Sequence, residues 1–98
     1  MSVRVDPEGY ELRRLLAYAG GLADTAVLEV GCGRGRLTFR YAAQAGRVVG
    51  IDPDAGRIAQ ARADTPAGLR SRVTFHAASI LDFAPRERFD VAIFAWSL

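Results

Sequence analysis

Residues 29–35 read Glu-Val-Gly-Cys-Gly-Arg-Gly, an acid followed by three glycines at alternate positions, where the short apolar run 26–30 ends. Glycine has no Cβ and takes positive φ readily, so Gly31, Gly33 and Gly35 allow a sharp turn and a close approach of the main chain to a bound molecule. That arrangement suits a nucleotide-type cofactor held by backbone amides, with a helix starting just past the loop. A second acid, Asp52, ends the apolar run 47–51 and stands 21 positions after Gly31 (52 − 31). A carboxylate at that separation has two oxygens with which to accept both hydroxyls of a ribose. Helix capping is the plainer role. Asp52-Pro53-Asp54 precedes an expected helix over 55–63, and either aspartate suits an N-cap. Both roles stay open for Asp52, whereas capping is the leading role for Asp54.

The glycine spacing narrows the cofactor. A dinucleotide fingerprint, G-x-G-x-x-G, requires a small third residue at position 36, where it lets helix and strand pack closely. Arg36 stands there. An NAD(P)- or FAD-binding oxidoreductase is therefore the alternative rather than the leading reading. The run 27–35, Val-Leu-Glu-Val-Gly-Cys-Gly-Arg-Gly, closely resembles the first motif of the class I S-adenosylmethionine-dependent methyltransferases. Residues 48–54, Val-Val-Gly-Ile-Asp-Pro-Asp, resemble the second. The resemblance assigns the glycine loop, with Glu29 and Cys32, to the methionyl end of S-adenosyl-L-methionine, Asp52 to the ribose and Pro53 to the edge of the adenine pocket. Residues 73–83 are similar to the third motif, with Ser79 where members commonly carry an acid, and this implies adenine contacts at Ser79 and Ile80. Residues 89–94 resemble the fourth motif, which sets Ala95 beside the methionyl group. Taken together, the resemblance implies methyl transfer to a small-molecule acceptor. No catalytic residue is identified, and the lone His76 has no second metal-type residue at useful spacing, so no metal is expected.

Glu29 requires a hydrogen-bond partner if it ends a buried strand, and loop amides or the methionyl amino group of the cofactor would supply one. Cys32, between two glycines and with no base near it in sequence, reads as a packing residue rather than a nucleophile.

The elements that must hold these residues alternate. A helix over 7–19 has Asp6 as cap, Pro7 at its first position and Gly20-Gly21 as its stop. Strands are expected over 26–30, 47–51, 73–76 and 89–96, and helices over 36–45 and 55–63. Strand-helix alternation implies right-handed crossovers and a Rossmann-like, doubly wound α/β fold: a mainly parallel sheet with helices on both faces. Residues 1–98 are expected to form one S-adenosylmethionine-binding domain, with an N-terminal helix region at 1–21 and a core at 22–98. Members of the family continue with further strands. The order that the resemblance implies, with the 73–76 strand outermost and the 89–96 strand at the other end, leaves the latter as an open apolar edge; such an edge invites self-association, and the domain reads as incomplete. A non-catalytic, cofactor- or partner-binding fragment is a third reading, and Trp96 reads as core packing or a wall.

Thirteen arginines, no lysine and 11 acids give a net charge of +2. The arginines are scattered, so a nucleic-acid surface is not indicated. One cysteine forms no intrachain disulfide, which favours a reducing cytoplasm. No apolar run reaches the ~18 residues of a membrane span.

Overall fold

A computed structural model describes residues 3–4, 24–83 and 89–95. Five parallel strands form one sheet: β1 (Val3–Arg4), β2 (Ala26–Val30), β3 (Arg47–Asp52), β4 (Val73–Ala77) and β5 (Val91–Phe94). Their order is β1-β5-β2-β3-β4. β2 is central. Its register sets Glu29 opposite Gly50 of β3 and Ile93 of β5. Asp90 squares off the start of that ladder, its carboxylate accepting from the Ala26 amide at 2.7 Å while its own amide donates to the Ala26 carbonyl.

Helix α1 (Arg36–Tyr41) lies between β2 and β3 in the chain, and α2 (Ala55–Asp64) between β3 and β4. Side chains alternate across a strand, so Val27, Val48, Val73, Phe75, Val91 and Ile93 share one face. They meet Leu37 and Tyr41 of α1 and Ile58 and Ala61 of α2 in one core. The other face carries Leu28, Val49 and Ile51, with Val30, Phe83 and Phe89 against them. Both described helices thus lie on one face. The helix expected over 7–19 falls outside the described residues, as does Trp96.

Asp54 caps α2, its carboxylate accepting from the Arg57 amide at 3.0 Å. α1 is shorter than the expected 36–45 and passes into a 3₁₀ turn over Ala42–Gln44. Tightening of this kind is common at helix C-termini. Arg72 reaches across to it from the start of β4 and donates through Nη1 to the carbonyls of Ala43 and Ala45.

The open edge expected at the last strand is corrected. Val3 and Arg4 pair in parallel with Ile93 and Phe94, so the C-terminal half of β5 has a neighbour on each side. A two-residue strand has no periodicity to read, so residue spacing does not reveal it. The self-association argued from an unpaired fourth strand loses its premise. At the opposite end of the described sheet, β4 is guarded by Arg62, whose Nε and Nη2 both donate to the Phe75 carbonyl, at 3.1 and 2.7 Å. A capped carbonyl cannot serve an incoming strand. Arg62→Ala should lower stability by about 1 kcal/mol and raise self-association in sedimentation velocity; an unchanged melting curve and sedimentation profile would refute that role.

Candidate functional site

The C-terminal ends of the strands converge where the chain reverses its direction of strand addition, with β3 and β4 on one side of β2 and β5 on the other. In open α/β sheets such a switch point carries the ligand crevice. Gly31, Gly33 and Gly35 all have positive φ, at 81°, 57° and 86°. The expectation from the glycine spacing holds. Gly31 is the tightest of them: a Cβ there would run into the carbonyl oxygen of Ala95, just past β5. Ala95 in turn donates its amide to the Val30 carbonyl at 2.9 Å. The loop and the end of β5 therefore touch through backbone alone.

The loop is anchored on β3. The amides of Gly31 and Cys32 both donate to the Ile51 carbonyl, at 2.8 and 3.1 Å. The Gly33 amide donates to Asp52 Oδ2 at 3.0 Å, and the Asp54 amide to Oδ1 at 2.9 Å. Asp52 thus orders two loops at once, while the capping of α2 falls to Asp54. Capping alone is therefore not the role of Asp52. Each carboxylate oxygen can accept twice, so one further acceptor direction remains on each oxygen. The Asp52 carbonyl accepts from the Ala78 amide at 3.0 Å, which draws the segment after β4 into the same region.

In that segment the Ser79 hydroxyl donates to Asp82 Oδ2 at 3.0 Å, and its oxygen accepts from the Asp82 amide at 3.3 Å. Ser79 is thus largely engaged within its own turn. Ile80 is 45% exposed and Leu81 92%, and Pro53 is exposed at the neighbouring loop. His76 lies against Phe83, ring centroids 6.1 Å apart. Among the described residues no group of acids, histidine and cysteine could hold a metal ion, and no helix is long and apolar enough to cross a membrane.

Cys32 turns its thiol into the core, over Gly50, where a Cβ would lie 3.0 Å from the sulfur and 2.8 Å from the Phe75 ring. Burial, then the nearby Glu29 and Asp52 carboxylates, push the thiol well above its usual range. This is the packing role expected of it, and only its main chain is free to face a ligand.

Glu29 is fully buried on the face covered by α1. Its Oε1 accepts from Tyr41 Oη at 2.6 Å and from Thr38 Oγ1 at 2.9 Å. Of the two partners expected from sequence, loop amides or the methionyl amino group of the cofactor, the loop amides are not used, and helix hydroxyls serve instead. Oε2 is the one buried side-chain polar atom among the described residues with no hydrogen bond. Desolvation pushes the carboxyl up to about 7, against the downward pull of the two hydroxyls. Tyr41 is raised by burial and by the Glu29 charge. Nothing local joins Thr38 and Tyr41 to an acid nine and twelve residues earlier, so residue spacing does not reveal them.

Known proteins share this architecture. The methyltransferase-domain family matches residues 27–98. The ubiquinone biosynthesis O-methyltransferase of Bradyrhizobium sp. (strain ORS 278) is 35% identical over 72 residues, covering 74% of this chain and 28% of that protein. The chain thus spans little more than a quarter of that curated relative. Magnesium protoporphyrin IX methyltransferase from Synechocystis PCC 6803, with bound S-adenosylmethionine, superposes with a TM-score of 0.71 at 22% identity, over 85% of this chain and 40% of that one. A glycopeptide N-methyltransferase complexed with sinefungin gives 0.73 at 26% identity, over 95% of this chain and 41% of that one. The dinucleotide alternative, already weakened by Arg36, gains no support from these matches. With its glycine loop, its strand-end aspartate and a family match over most of its length, the chain belongs to the methyltransferase-domain family.

Proposed function

We propose that this chain is the cofactor-binding part of an S-adenosylmethionine-dependent methyltransferase acting on a small-molecule acceptor. The observation that carries the reading is the Asp52 carboxylate, whose two oxygens each hold one loop amide and each keep one acceptor direction. A vicinal diol needs two such acceptors side by side. Gly31, Gly33 and Gly35, with the main chain of Cys32 and Ala95, would face the methionyl end, where there is no room for larger side chains at Gly31. Pro53 and the exposed Ile80 would flank the adenine, and Ser79 would contribute its remaining acceptor capacity. Glu29 would act from beneath the loop. When bound, the cofactor supplies a methyl group on a positively charged sulfonium, already activated for in-line transfer to a nucleophile. The residues described here bind and orient, and no acid–base step is assigned to any of them.

The small-molecule acceptor is supported by relatives named for ubiquinone biosynthesis and for a magnesium porphyrin. A cytoplasmic setting is part of the proposal and rests on the single, buried thiol. Residues 1–98 are read as one cofactor-binding domain.

Asp52→Ala should weaken S-adenosylmethionine binding by about 2 kcal/mol, roughly thirtyfold, through loss of two charge-assisted bonds. It should also lower the melting temperature without ligand, because the Gly33 and Asp54 amides lose their acceptor. Asp52→Asn keeps one acceptor oxygen and should fall between. Calorimetric titration of both variants is the test. Unchanged affinity with lowered stability would reject the ribose role.

A further inference from the structure

Glu29 is a buried carboxyl with a lopsided environment. Both hydroxyls that reach it, from Thr38 and Tyr41, serve the same oxygen, and the other oxygen is sealed and unpaired. Every structural neighbour that could stabilise its charge comes from α1. The loop contributes the Cys32 thiol, β5 contributes the apolar Ile93 opposite it, and β3 contributes Gly50 opposite it and, two residues on, the Asp52 carboxylate. Arg34, Arg36 and Arg40 are exposed. No described cation is buried with Glu29. The acid therefore sits two residues before the glycine loop, in a setting that disfavours its own charge.

We propose that Tyr41, assisted by Thr38, is a positioning residue for the cofactor: it holds Glu29 so that the carboxyl ionises as the cationic cofactor seats, and cofactor uptake releases a proton. The inference rests on the cofactor reading above. S-adenosylmethionine carries a sulfonium and an ammonium against one carboxylate, a net charge of +1, and a positive charge brought near a buried acid favours its ionised form. The proton leaves to solvent and no bond other than O–H is broken. Since the free protein holds Glu29 near 7, binding must draw the proton off below that pH and need not above it. Affinity then falls about tenfold between pH 8 and pH 6. Tyr41 sets where this happens. Its hydroxyl favours the ionised carboxyl, so its removal moves the window to higher pH.

The test is isothermal titration of the 98-residue chain with S-adenosylmethionine from pH 5.5 to 8.5, in two buffers of different ionisation enthalpy. The wild type should release a fraction of a proton near pH 7, measured as the excess over Glu29→Gln, in which the ligand's own titration and every other side chain of the protein are retained. His76 lies on the opposite face of the sheet, against Phe83. Tyr41→Phe should bind with its pH midpoint shifted upward. A merely structural role for Tyr41 would weaken binding equally at all pH values. Equal proton release by wild type and Glu29→Gln, or a Tyr41→Phe midpoint matching the wild type, overturns the proposal and leaves the cofactor reading standing. Failure of the wild type to bind at any pH overturns both. If Glu29→Gln does not fold, the comparison of wild type with Tyr41→Phe decides.

Discussion

Gly31→Ala should destabilise the chain by about 2–5 kcal/mol, a large part of the 5–15 kcal/mol typical of a domain. Two costs add. A side chain at φ 81° carries a left-handed penalty of about 1–2 kcal/mol. The new methyl group also lands on the Ala95 carbonyl oxygen, and overpacking of this kind costs about 1–3 kcal/mol. The obstacle is backbone, so no rotamer change relieves it. Relief requires β5 to move away from β2, which breaks the bond from the Ala95 amide to Val30. Gly68→Ala is the control, since a Cβ there meets nothing within 4 Å. It should be nearly neutral. Chemical denaturation of both variants decides the matter, and a Gly31→Ala loss below 1 kcal/mol would show that the contact is not a constraint.

That position was readable because glycine alone satisfies a left-handed turn against a neighbouring backbone. Much of the fold was readable for similar reasons. The strand Ala26–Val30 is bounded by turn residues, and the order of β4, β3, β2 and β5 follows from the family resemblance of the motifs they carry. The failures have a different origin. The strand Val3–Arg4 is too short to carry a pattern, so the edge it covers looked open. Nothing in the spacing of the scattered arginines marks Arg62 or Arg72, yet each closes backbone carbonyls far away in sequence. Asp52 was legible as an acceptor for a ligand, but the two amides it already holds come from loop geometry that spacing does not reveal. Tyr41 falls within the helix expected over 36–45. Its hydroxyl gained meaning only when packing brought Glu29 to it.

The same buried acid gives the second large effect, on stability rather than binding. The ordinary carboxyl value of 4.5 applies to the unfolded chain, and the folded chain holds Glu29 near 7. Between these values the folded state keeps a proton that the unfolded state has released. Stability therefore falls as pH rises from 4.5 to 7 and is level above, a loss of about 3 kcal/mol from this one group. Glu29→Gln removes the titration. Its amide oxygen can still accept from Tyr41 and Thr38, and its NH₂ group takes the site of the unpaired Oε2 at a cost that does not vary with pH. The difference in unfolding free energy between Glu29→Gln and wild type should thus grow in favour of glutamine by about 3 kcal/mol from pH 4.5 to above pH 7. Urea denaturation at four or five pH values without ligand measures it, and the slope matters rather than the absolute offset. A pH-independent difference would mean that Glu29 ionises in the fold as freely as in the open chain, and the unpaired oxygen would then have to be solvated. If the slope is found, retaining an acid there weakens the ligand-free protein at neutral pH, in line with the stability commonly lost to functional groups. Saturating S-adenosylmethionine should then flatten the wild-type slope, because a bound cation stabilises the ionised carboxyl that the empty fold resists.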